Sequence, residues 1–495
     1  MSGGLSGSTA EAELLARVPN GLFIGGEWVA AAEGRELKVY DPATGLVIKS
    51  IADASVADGG KALDAAVAAA DSWAATAPRV RSDILRRAYE LLQERRDDFA
   101  LLMTLEMGKP LVESNGEVTY GGEFLRWFSE EAVRITGRYG SNPENTGRMI
   151  VSQHPVGPCY LITPWNFPLA MATRKIAPAL AAGCTVVIKP AELTPLTTLY
   201  FVQLLVDAGL PAGVVNVITT STSGAVSEPI IADPRLRKLS FTGSTPVGRK
   251  LIQQASQGIL RTSMELGGNA PFVVFDDADL DKAVEGAIAA KFRNIGQACT
   301  AANRFIVHES VADEFARRVT ERVNGFATGR GTESGITIGP LINDAAVAKA
   351  EELVKDAVDR GATVLAGGHR IKGDGTFYEA TVVSGVKPGS EILRQEIFGP
   401  VLSIVSFTDE DEAVRIANDT EYGLISYVYT QDLARGQRMI ERMQTGMMGL
   451  NLGVISNAAA PFGGVKQSGL GREGGFEGIH EYLSTKYTLT PNPFA

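Results

Sequence analysis

The first third of the chain carries a hydrophobic pattern that is typical of helices. Between residues 57 and 136, apolar side chains such as Ile84, Ala88 and Leu91 recur at intervals of three and four positions, which places them on one face of a helix. Pro78 stands where a helix could begin, because proline lacks the amide hydrogen that a first turn leaves unbonded. Helices are therefore predicted over residues 62–75 and 79–107. Residues 1–20 are small and polar and are predicted to form a flexible tail.

Beyond residue 150 the pattern changes to short apolar runs that alternate with helical stretches. The first runs are Cys159-Tyr-Leu-Ile, Thr185-Val-Val-Ile, Val214-Val-Asn-Val-Ile and Leu236-Arg-Lys-Leu-Ser-Phe. A second set comprises Phe272-Val-Val-Phe, Arg304-Phe-Ile-Val, Ala362-Thr-Val-Leu and Val401-Leu-Ser-Ile-Val. Such alternation predicts βαβ units and parallel sheets. We therefore predict two α/β domains that join near residues 265–271.

Composition supports a globular protein and excludes some partner classes. Apolar residues make up 45% of the 495 positions and charged residues 21%, which is typical of a chain with a large core. The 47 basic and 57 acidic side chains give a net charge of −10. This charge offers no general positive field for nucleic acid or anionic lipid. We therefore expect neither nucleic acid nor a membrane as a partner.

Cysteine content and the absence of apolar spans predict a cytoplasmic location. Three cysteines cannot form a disulfide framework, which favours a reducing compartment. The N-terminus has neither a basic start nor an apolar stretch, so no signal peptide is predicted. The most apolar run, residues 176–188, has 13 residues and is well short of the ~20 that span a bilayer.

Two glycine patterns resemble nucleotide-binding motifs. Gly469-Leu-Gly-Arg-Glu-Gly474 fits G-x-G-x-x-G, but no apolar strand precedes it and only 21 residues follow, too few for the required βαβ unit. Gly243-Ser-Thr-Pro-Val-Gly248 lies between a predicted strand and helix, with Thr245 as a candidate N-cap and Pro246 at the first helical position. Since a helix N-terminus attracts anions, the second segment is the better candidate for a dinucleotide phosphate.

No metal site is predicted, because His154, His308, His369 and His480 are scattered and show no ligand spacing. Cys159 and Cys184 lie within apolar strand patterns, where a cysteine is usually a small buried hydrophobic residue.

Three polar residues are candidates for catalysis. Cys299 lies among small residues that leave room for a substrate beside the sulfur, and local sequence leaves open whether it is a nucleophile. Glu265 enters a glycine turn, where it is either paired structurally or acts as a base. Asn166 follows a predicted strand, a common place for ligand groups in parallel sheets, although a turn asparagine is the simpler interpretation.

Seven segments occur in the order and spacing of one enzyme superfamily. They are Pro164-Trp-Asn-Phe-Pro, Lys189-Pro-Ala-Glu192, Phe241-Thr-Gly-Ser244, Glu265-Leu-Gly-Gly, Gly296-Gln-Ala-Cys299, Glu396-Ile-Phe-Gly-Pro400 and Pro461-Phe-Gly-Gly-Val-Lys-Gln-Ser-Gly. The chain thereby resembles the NAD(P)-dependent aldehyde dehydrogenases from about Phe23 to its C-terminus. Further segments resemble the succinate-semialdehyde branch of that superfamily, namely Thr173-Arg-Lys175, Lys291-Phe-Arg-Asn294 and Gly453-Val-Ile-Ser-Asn457.

The resemblance implies an α/β fold with three parts. A Rossmann-like cofactor-binding domain would comprise residues 21–136 and 157–266, and a catalytic domain residues 267–484. A small β extension that joins subunits would comprise residues 137–156 and 485–495, which implies a homodimer or homotetramer. The family's cofactor domain departs from the usual glycine fingerprint, which agrees with its absence here.

The resemblance also implies roles for the catalytic candidates. Cys299 as thiolate would attack the aldehyde carbon, and the Asn166 amide with the Cys299 backbone N–H would stabilise the resulting alkoxide. Hydride transfer to the nicotinamide would leave a thioester, and Glu265 would activate the water that hydrolyses it. A cysteine hydrolase or acyltransferase, and a binding-only family member, are the competing interpretations.

The cofactor is expected to be NAD or NADP. The binding residues implied by the resemblance are Trp165, Asn166, Lys189, Pro190, Ala191, Glu192, Gly243, Ser244, Leu266, Glu396 and Phe398. Lys189 and Glu192 would contact the adenine-ribose and Glu396 the nicotinamide-ribose. A carboxylate near the ribose 2′ position favours a hydroxyl over a phosphate, so Glu192 favours NAD.

The substrate is expected to be a small semialdehyde, with Arg174, Arg293 and Ser456 holding its carboxylate. An arginine fork binds a carboxylate in a bidentate manner, and a hydroxyl adds a third bond. Without the resemblance, structural salt bridges would be the simpler interpretation of both arginines. The expected reaction is oxidation of succinate semialdehyde. The alternatives are glutarate or 2-oxoglutarate semialdehyde, or a broad range of aliphatic aldehydes.

Overall fold

The predicted alternation of strands and helices is present in the structure, a computed structural model that describes residues 9–494. The strands are β1 (Leu22–Ile24), β2 (Glu27–Val29), β3 (Glu36–Tyr40), β4 (Val47–Ala52), β5 (Arg138–Ser141), β6 (Gly147–Pro155), β7 (Cys159–Ile162), β8 (Val186–Lys189), β9 (Val215–Val217), β10 (Lys238–Thr242), β11 (Arg261–Glu265), β12 (Ala270–Val274), β13 (Ala302–His308), β14 (Thr363–Ala366), β15 (Thr381–Ser384), β16 (Val401–Phe407), β17 (Tyr422–Gly423), β18 (Ile425–Tyr429), β19 (Met447–Leu450), β20 (Val465–Lys466), β21 (Gly469–Leu470) and β22 (Leu483–Pro491).

The helices cover the faces of the sheets and connect their strands. They are α1 (Thr9–Arg17), α2 (Val56–Ala75), α3 (Pro78–Glu94), α4 (Arg96–Met107), α5 (Leu111–Glu131), α6 (Ala170–Ala182), α7 (Leu196–Asp207), α8 (Ser223–Ala232), α9 (Thr245–Gln257), α10 (Leu280–Phe292), α11 (Glu309–Asn324), α12 (Asp344–Asp359), α13 (Glu410–Asn418), α14 (Leu433–Arg442) and α15 (Gly475–His480).

Local sequence signals explain where the early helices begin and end. Ser55 accepts a hydrogen bond from the Asp58 amide while the Asp58 carboxylate accepts one from the Ser55 amide, the reciprocal cap that starts α2. Pro78 is the first residue of α3, as predicted. The helix predicted over residues 79–107 is divided at Arg95 into α3 and α4. Gly108 ends α4 with φ of 92°, a conformation that glycine adopts without penalty.

The first large sheet has the order β2-β1-β9-β8-β7-β10-β11-β21. Its five inner strands, β9 to β11 in that order, pair in parallel, while β1 and β21 add antiparallel edges. Cys159 and Cys184 are both fully buried here, as predicted. Parallel strands covered on both faces explain why these runs read as continuously apolar.

The second large sheet has the order β14-β15-β16-β13-β12-β18-β19. All its neighbours pair in parallel except β14, which lies antiparallel to β15 at one edge. The chain leaves the first sheet at Glu265 and enters the second at Ala270. The predicted fold class, two α/β units with parallel sheets, is confirmed.

A third sheet stands apart from the other two and has the order β22-β6-β5. β22 pairs antiparallel with β6 from Leu483 opposite Pro155 to Pro491 opposite Gly147. Two small antiparallel pairs, β3 with β4 and β17 with β20, complete the strand pairing.

The prediction of a flexible tail over residues 1–20 is wrong for its second half. Thr9–Arg17 forms helix α1, and the side chain of Leu14 is 1% exposed. Arg330 makes ion pairs with Glu11 and Asp41, so charge pairing adds to apolar burial in fixing α1. Residues 1–8 lie outside the described part of the chain. Between residues 9 and 494, we find no helix with the length and apolar character of a membrane span.

Candidate active site

Three neighbouring parallel strands bring several predicted site residues to one edge of the first sheet. Asn166 follows β7, Ser244 follows β10, and Glu265 is the last residue of β11. The three strands are adjacent in the order β7-β10-β11. Because parallel strands point the same way, their carboxyl ends form one crevice, the usual ligand position in such sheets.

An open cleft of about 1070 Å³ lies at this edge. Its lining includes nine of the predicted residues, which are Trp165, Asn166, Gly243, Ser244, Glu265, Leu266, Cys299, Glu396 and Phe398. The rings of Trp165 and Phe398 meet edge to face, with centroids 5.4 Å apart. A second hollow of about 970 Å³ shares Ser244, Gly267, Lys349 and Glu396 with the cleft. The structure therefore joins residues from both halves of the chain around one elongated cleft.

The segment that carries Cys299 has an unusual backbone. Asn294 and Ile295 have positive φ angles of 55° and 60°, and Gly296 follows with φ of 72°. A Cβ atom at Gly296 would lie 2.2 Å from the carbonyl oxygen of Gly399. Glycine is therefore required here for both conformation and space, and this turn directs Cys299 into the cleft.

The thiol of Cys299 is in its neutral form in this environment. Burial raises its pKa to about 12, and the charge of Arg174 is the largest influence in the opposite direction. Since the thiolate is the reactive form, the sulfur needs a proton acceptor or an additional positive charge before it can attack.

Asn166 is held from both its backbone and its side chain. Its carbonyl oxygen accepts hydrogen bonds from Lys109 Nζ at 2.8 Å and from Asn294 Nδ2 at 3.0 Å. Its own Nδ2 donates to the Gln297 carbonyl at 3.0 Å. An amide nitrogen has two hydrogens, so one remains for a ligand in the cleft beside Cys299.

Glu265 favours its protonated form more strongly than an ordinary glutamate does. Burial raises its pKa well above the ordinary value, and the charge of Glu473 raises it further. Its Oε2 has no hydrogen-bond partner within residues 9–494. A buried carboxyl group with a raised pKa inside a cleft is a candidate for proton transfer.

Arg174 does not line the cleft. Its guanidinium group is 1% exposed and forms an ion pair with Glu473 at 2.5 Å, while Lys175 binds the other oxygen of the same carboxylate at 2.5 Å. The Arg174 guanidinium also lies 4.2 Å from the centroid of the Phe462 ring. The structural salt bridge that was the simpler interpretation is therefore present at Arg174.

Arg293 and Ser456, two of the residues predicted to bind the substrate carboxylate, lie close together in the structure. Both line a small cavity, which Ala298 and Thr300, the residues on either side of Cys299, also line. Among the described residues, no carboxylate forms an ion pair with Arg293. Its guanidinium therefore has no competing carboxylate and is a candidate for binding an anionic group of a substrate.

The predicted adenine-ribose residues lie outside the cleft lining. Lys189 ends β8, next to β7 in the sheet, and Pro190 and Ala191 continue the chain from it. Lys189 Nζ donates to the Pro190 carbonyl at 3.0 Å, and burial lowers the pKa of this amine. Glu192 is exposed. These four residues lie at the same edge of the sheet but do not line the open cleft.

The second glycine pattern, at residues 243–248, begins a helix as predicted, but one residue earlier. Ser244, rather than Thr245, is the N-cap of α9, and Pro246 is the second residue of the helix. The Ser244 side chain makes no capping hydrogen bond, which leaves amide hydrogens at this end free for an anion. The other pattern is structural, since a Cβ at Gly469 would lie 1.9 Å from the Met264 carbonyl oxygen.

Comparison with known proteins identifies the family. A family model described as "Aldehyde dehydrogenase family" matches residues 28–488. The chain belongs to this family. The resemblance inferred from the seven segments is thereby confirmed, and this aldehyde dehydrogenase is an oxidoreductase.

Three relatives of this dehydrogenase are named as semialdehyde dehydrogenases. It is 59% identical to the succinate-semialdehyde dehydrogenase of Paenarthrobacter nicotinovorans over 90% of this chain and 100% of the relative. It is 48% identical to the succinate-semialdehyde dehydrogenase of Escherichia coli (strain K12), whose name specifies NADP(+). It is 49% identical to the glutarate-semialdehyde dehydrogenase of Pseudomonas putida. Each of these two matches covers 94% of this chain and 96% of the relative.

A solved structure shows the same fold. The crystal structure of succinate-semialdehyde dehydrogenase from Burkholderia pseudomallei superposes on this chain with a TM-score of 0.95 at 48% identity. The match covers 98% of this chain and 100% of the other.

Several residues of the site were not predicted from the sequence. Met171, Ile342, Asn343 and Lys349 line the cleft, and Glu473 raises the pKa of Glu265. Glu473 lies within the glycine pattern at residues 469–474, which did not indicate this role, and the other four lie in none of the motifs quoted above. Lys349 belongs to α12, whose pattern of apolar and charged positions is that of an ordinary surface helix, so only its packing against the cleft reveals it. Between residues 9 and 494, no cluster of three or more possible metal ligands occurs.

Proposed function

We propose that this dehydrogenase oxidises succinate semialdehyde to succinate and reduces NAD or NADP. The observation that carries the proposal is that Arg293 and Ser456 line one small cavity together with Ala298 and Thr300, the chain neighbours of Cys299. A carboxylate bound by this arginine and hydroxyl would place the aldehyde end of a short substrate near the sulfur. The 59% identity to a succinate-semialdehyde dehydrogenase supports the same substrate.

Arg174 takes the smaller part in carboxylate binding. Its guanidinium already neutralises Glu473 at 2.5 Å, so a substrate carboxylate would have to share it. Its charge is also the main influence that lowers the pKa of Cys299. Since Arg174 does not line the cleft, its main effect is on the thiol.

The cleft suits a dinucleotide. The uncapped N-terminus of α9 offers amide hydrogens to the pyrophosphate, with Gly243 and Ser244 beside it. Glu396 accepts a hydrogen bond from the Gly268 amide at 3.1 Å and would bind the nicotinamide-ribose, with Trp165, Leu266 and Phe398 around it. When bound, the nicotinamide supplies the acceptor for the substrate hydride.

The first half of the reaction uses Cys299 and Asn166. The sulfur, once deprotonated, bonds to the aldehyde carbon, and the carbonyl oxygen becomes an alkoxide. The second N–H of Asn166 and the backbone N–H of Cys299 donate hydrogen bonds to that oxygen. Loss of hydride from the carbon then leaves a thioester on Cys299.

The second half of the reaction uses Glu265. As a carboxylate it takes a proton from a water molecule, which attacks the thioester carbon and releases the acid. The raised pKa of Glu265 makes it a stronger base than an ordinary carboxylate once it has lost its proton. The product is then the free acid and the thiol is regenerated.

For the cofactor, we propose a preference for NAD. Lys189, Pro190, Ala191 and Glu192 would bind the adenosine half, and the exposed Glu192 carboxylate would repel a 2′-phosphate. Glu192→Gln should shift the ratio of kcat/KM values towards NADP. A wild-type enzyme that prefers NADP strongly, as the name of the E. coli relative says of that protein, would contradict this assignment.

We also propose a separate function for each of three parts of the chain. Residues 21–136 and 157–266 bind the cofactor, residues 267–484 carry Cys299, and residues 137–156 and 485–495 join subunits in a homodimer or homotetramer. A cytoplasmic location agrees with the low cysteine content.

The function is tested by following NADH and NADPH absorbance with three substrates. Succinate semialdehyde should give the highest kcat/KM, glutarate semialdehyde a lower one, and butyraldehyde, which lacks the carboxylate, the lowest. Cys299→Ser should abolish oxidation and retain cofactor binding. A preference of the wild-type enzyme for butyraldehyde would contradict the proposed substrate, and a preference for glutarate semialdehyde would favour the longer acid.

A further inference from the structure

A fully buried lysine contacts the backbone of Asn166. Lys109 follows the left-handed Gly108 at the end of α4 and is 0% exposed. Its Nζ donates to Glu117 and, at 2.8 Å, to the Asn166 carbonyl oxygen. The same amine lies 4.2 Å from the centroid of the Phe167 ring. Lys109 thus connects α4 and α5 to the segment that carries the oxyanion donor.

Glu117 also holds that segment. Its Oε1 accepts hydrogen bonds from the amides of Leu169 at 2.9 Å and Ala170 at 3.1 Å, the residues that begin α6. The Lys109–Glu117 pair therefore grips residues 166–170 at both ends. Apart from the Lys109–Glu117 bond itself, these hydrogen bonds all go to backbone atoms, so the pair fixes where the chain runs.

Stability alone is a poor explanation for this pair. Replacing a buried ion pair by apolar side chains of similar volume is often neutral or stabilising. In the proposed function, the pair lies where the main chain must present the Asn166 side-chain amide to the reacting oxygen. A displacement of about 1 Å at such a donor can cost ~100-fold in rate.

We propose that Lys109 is a positioning residue that fixes the oxyanion donor Asn166 through its carbonyl oxygen. The inference rests on the role of Asn166 in the proposed function. Asn294, on the Cys299 segment, donates to the same carbonyl at 3.0 Å. Lys109 and Asn294 together set the distance between the Asn166 side-chain nitrogen and the Cys299 sulfur.

The test is a double-mutant cycle on the rate of NADH formation in a single turnover, which reports the steps that need the oxyanion donor. Lys109→Met with Glu117→Gln removes both charges, nearly preserves volume, and keeps an oxygen for the α6 amides. Asn166→Ala removes the donor. Lys238→Met is the matched control, because Lys238 is also 0% exposed but contacts Ser263 and the Tyr482 ring instead.

The Lys109/Glu117 variant should lose about 10-fold to 100-fold in the single-turnover rate. Its affinity for the cofactor, measured by fluorescence, should be unchanged. In the Asn166→Ala background the same change should cost less than about 2-fold, because the donor that it positions is already gone. Lys238→Met should leave the rate near that of the wild type.

An equal loss in both backgrounds would overturn the inference, since that is the result of a general structural role. No loss in either background would overturn it as well. If the Lys109/Glu117 variant does not fold, Asn294→Gly removes the other donor to the same carbonyl and should show the same dependence on Asn166. A wild-type enzyme that forms no NADH with any aldehyde would instead contradict the proposed function.

Discussion

At the scale of single residues, protonation at this site depends on a chain of buried charges. Burial opposes ionisation of Glu473, but Lys175 and Arg174 outweigh it and hold its pKa below the ordinary value. The Glu473 carboxylate in turn adds to the effect of burial and raises the pKa of Glu265. Glu473 therefore favours its ionised form and Glu265 its protonated form, because two like charges close together in a buried site destabilise each other.

This difference predicts the pH dependence of deacylation. Glu265 accepts a proton only as a carboxylate, and that form increases as pH rises through its raised pKa. The steady-state rate should therefore rise with pH over a range that lies above the range in which an ordinary glutamate ionises. In Glu265→Gln, stopped-flow absorbance should show a burst of NADH followed by slow turnover without that rise. The absence of both a burst and an acyl-enzyme would assign Glu265 to an earlier step.

Charge at Arg293 predicts substrate selectivity. Arg293→Ala should lower kcat/KM for succinate semialdehyde by ~100-fold, about 3 kcal/mol, the usual loss for a buried charge-assisted bond. Butyraldehyde, with the same four carbons and no carboxylate, should be almost unaffected. Ser456→Ala should show the same selectivity with a smaller loss. An Arg293→Ala enzyme that loses both substrates equally would contradict carboxylate binding and indicate a structural role.

At the scale of elements, the site depends on where strands end and on one tight turn. β7, β10 and β11 deliver Asn166, Ser244 and Glu265 to one edge. The turn at Gly296 places Cys299 opposite these residues. Gly296 itself lies against Gly399, in the segment that carries Glu396. Strand ends are rigid, so the catalytic groups are fixed before substrate arrives.

The turn predicts an effect of a single methyl group. Gly296→Ala would place a Cβ atom 2.2 Å from the Gly399 carbonyl oxygen and so displace the segment bearing Glu396 and Phe398. We expect a raised KM for the cofactor and a stability loss of about 1–3 kcal/mol, measured by denaturant unfolding. Gly385→Ala is the control, since its φ is 69° and no atom lies within 4 Å of the added carbon. Equal effects of the two changes would indicate backbone strain alone.

At the scale of the whole molecule, the third sheet presents apolar side chains to solvent. Tyr487 is 58% and Leu489 51% exposed, and alternate residues of a strand share a face. Their partners across β6 are Val151 and Met149, which are half-buried, so two exposed and two half-buried apolar side chains lie together on one face. Such a surface marks a protein contact.

We expect Tyr487→Asp with Leu489→Asp to lower the oligomeric state, because two charges would be buried without partners in the proposed subunit contact. Light scattering coupled to size exclusion measures the mass. Leu433→Asp is the control, since Leu433 is 74% exposed on α14 in another part of the molecule. An unchanged mass for the double variant would exclude this face as the subunit contact.

The sequence by itself determined the parallel sheets and the family. Apolar runs such as Cys159–Ile162 have no polar face, and all four residues of this run are buried. Their composition alone therefore predicts a parallel sheet that is covered on both faces. Cys299, Glu265 and Asn166 were recognisable because their motifs are local, and the cleft contains all three. The N-terminal helix α1 was not recognisable, since its stability comes from packing Leu14 and from Arg330, which is remote in sequence.

Only the tertiary structure decided the charges and contacts of the site. Arg174 and Arg293 were equivalent candidates in the sequence, yet one is paired with Glu473 and the other has no carboxylate partner among the described residues. Lys109 is 57 residues from Asn166, and no local pattern relates them. Coulomb interactions and hydrogen bonds depend on distance in space, whereas motifs record only distance along the chain. The sequence is therefore sufficient to identify the family, whereas the protonation and positioning of its catalytic groups can be determined only from the folded chain.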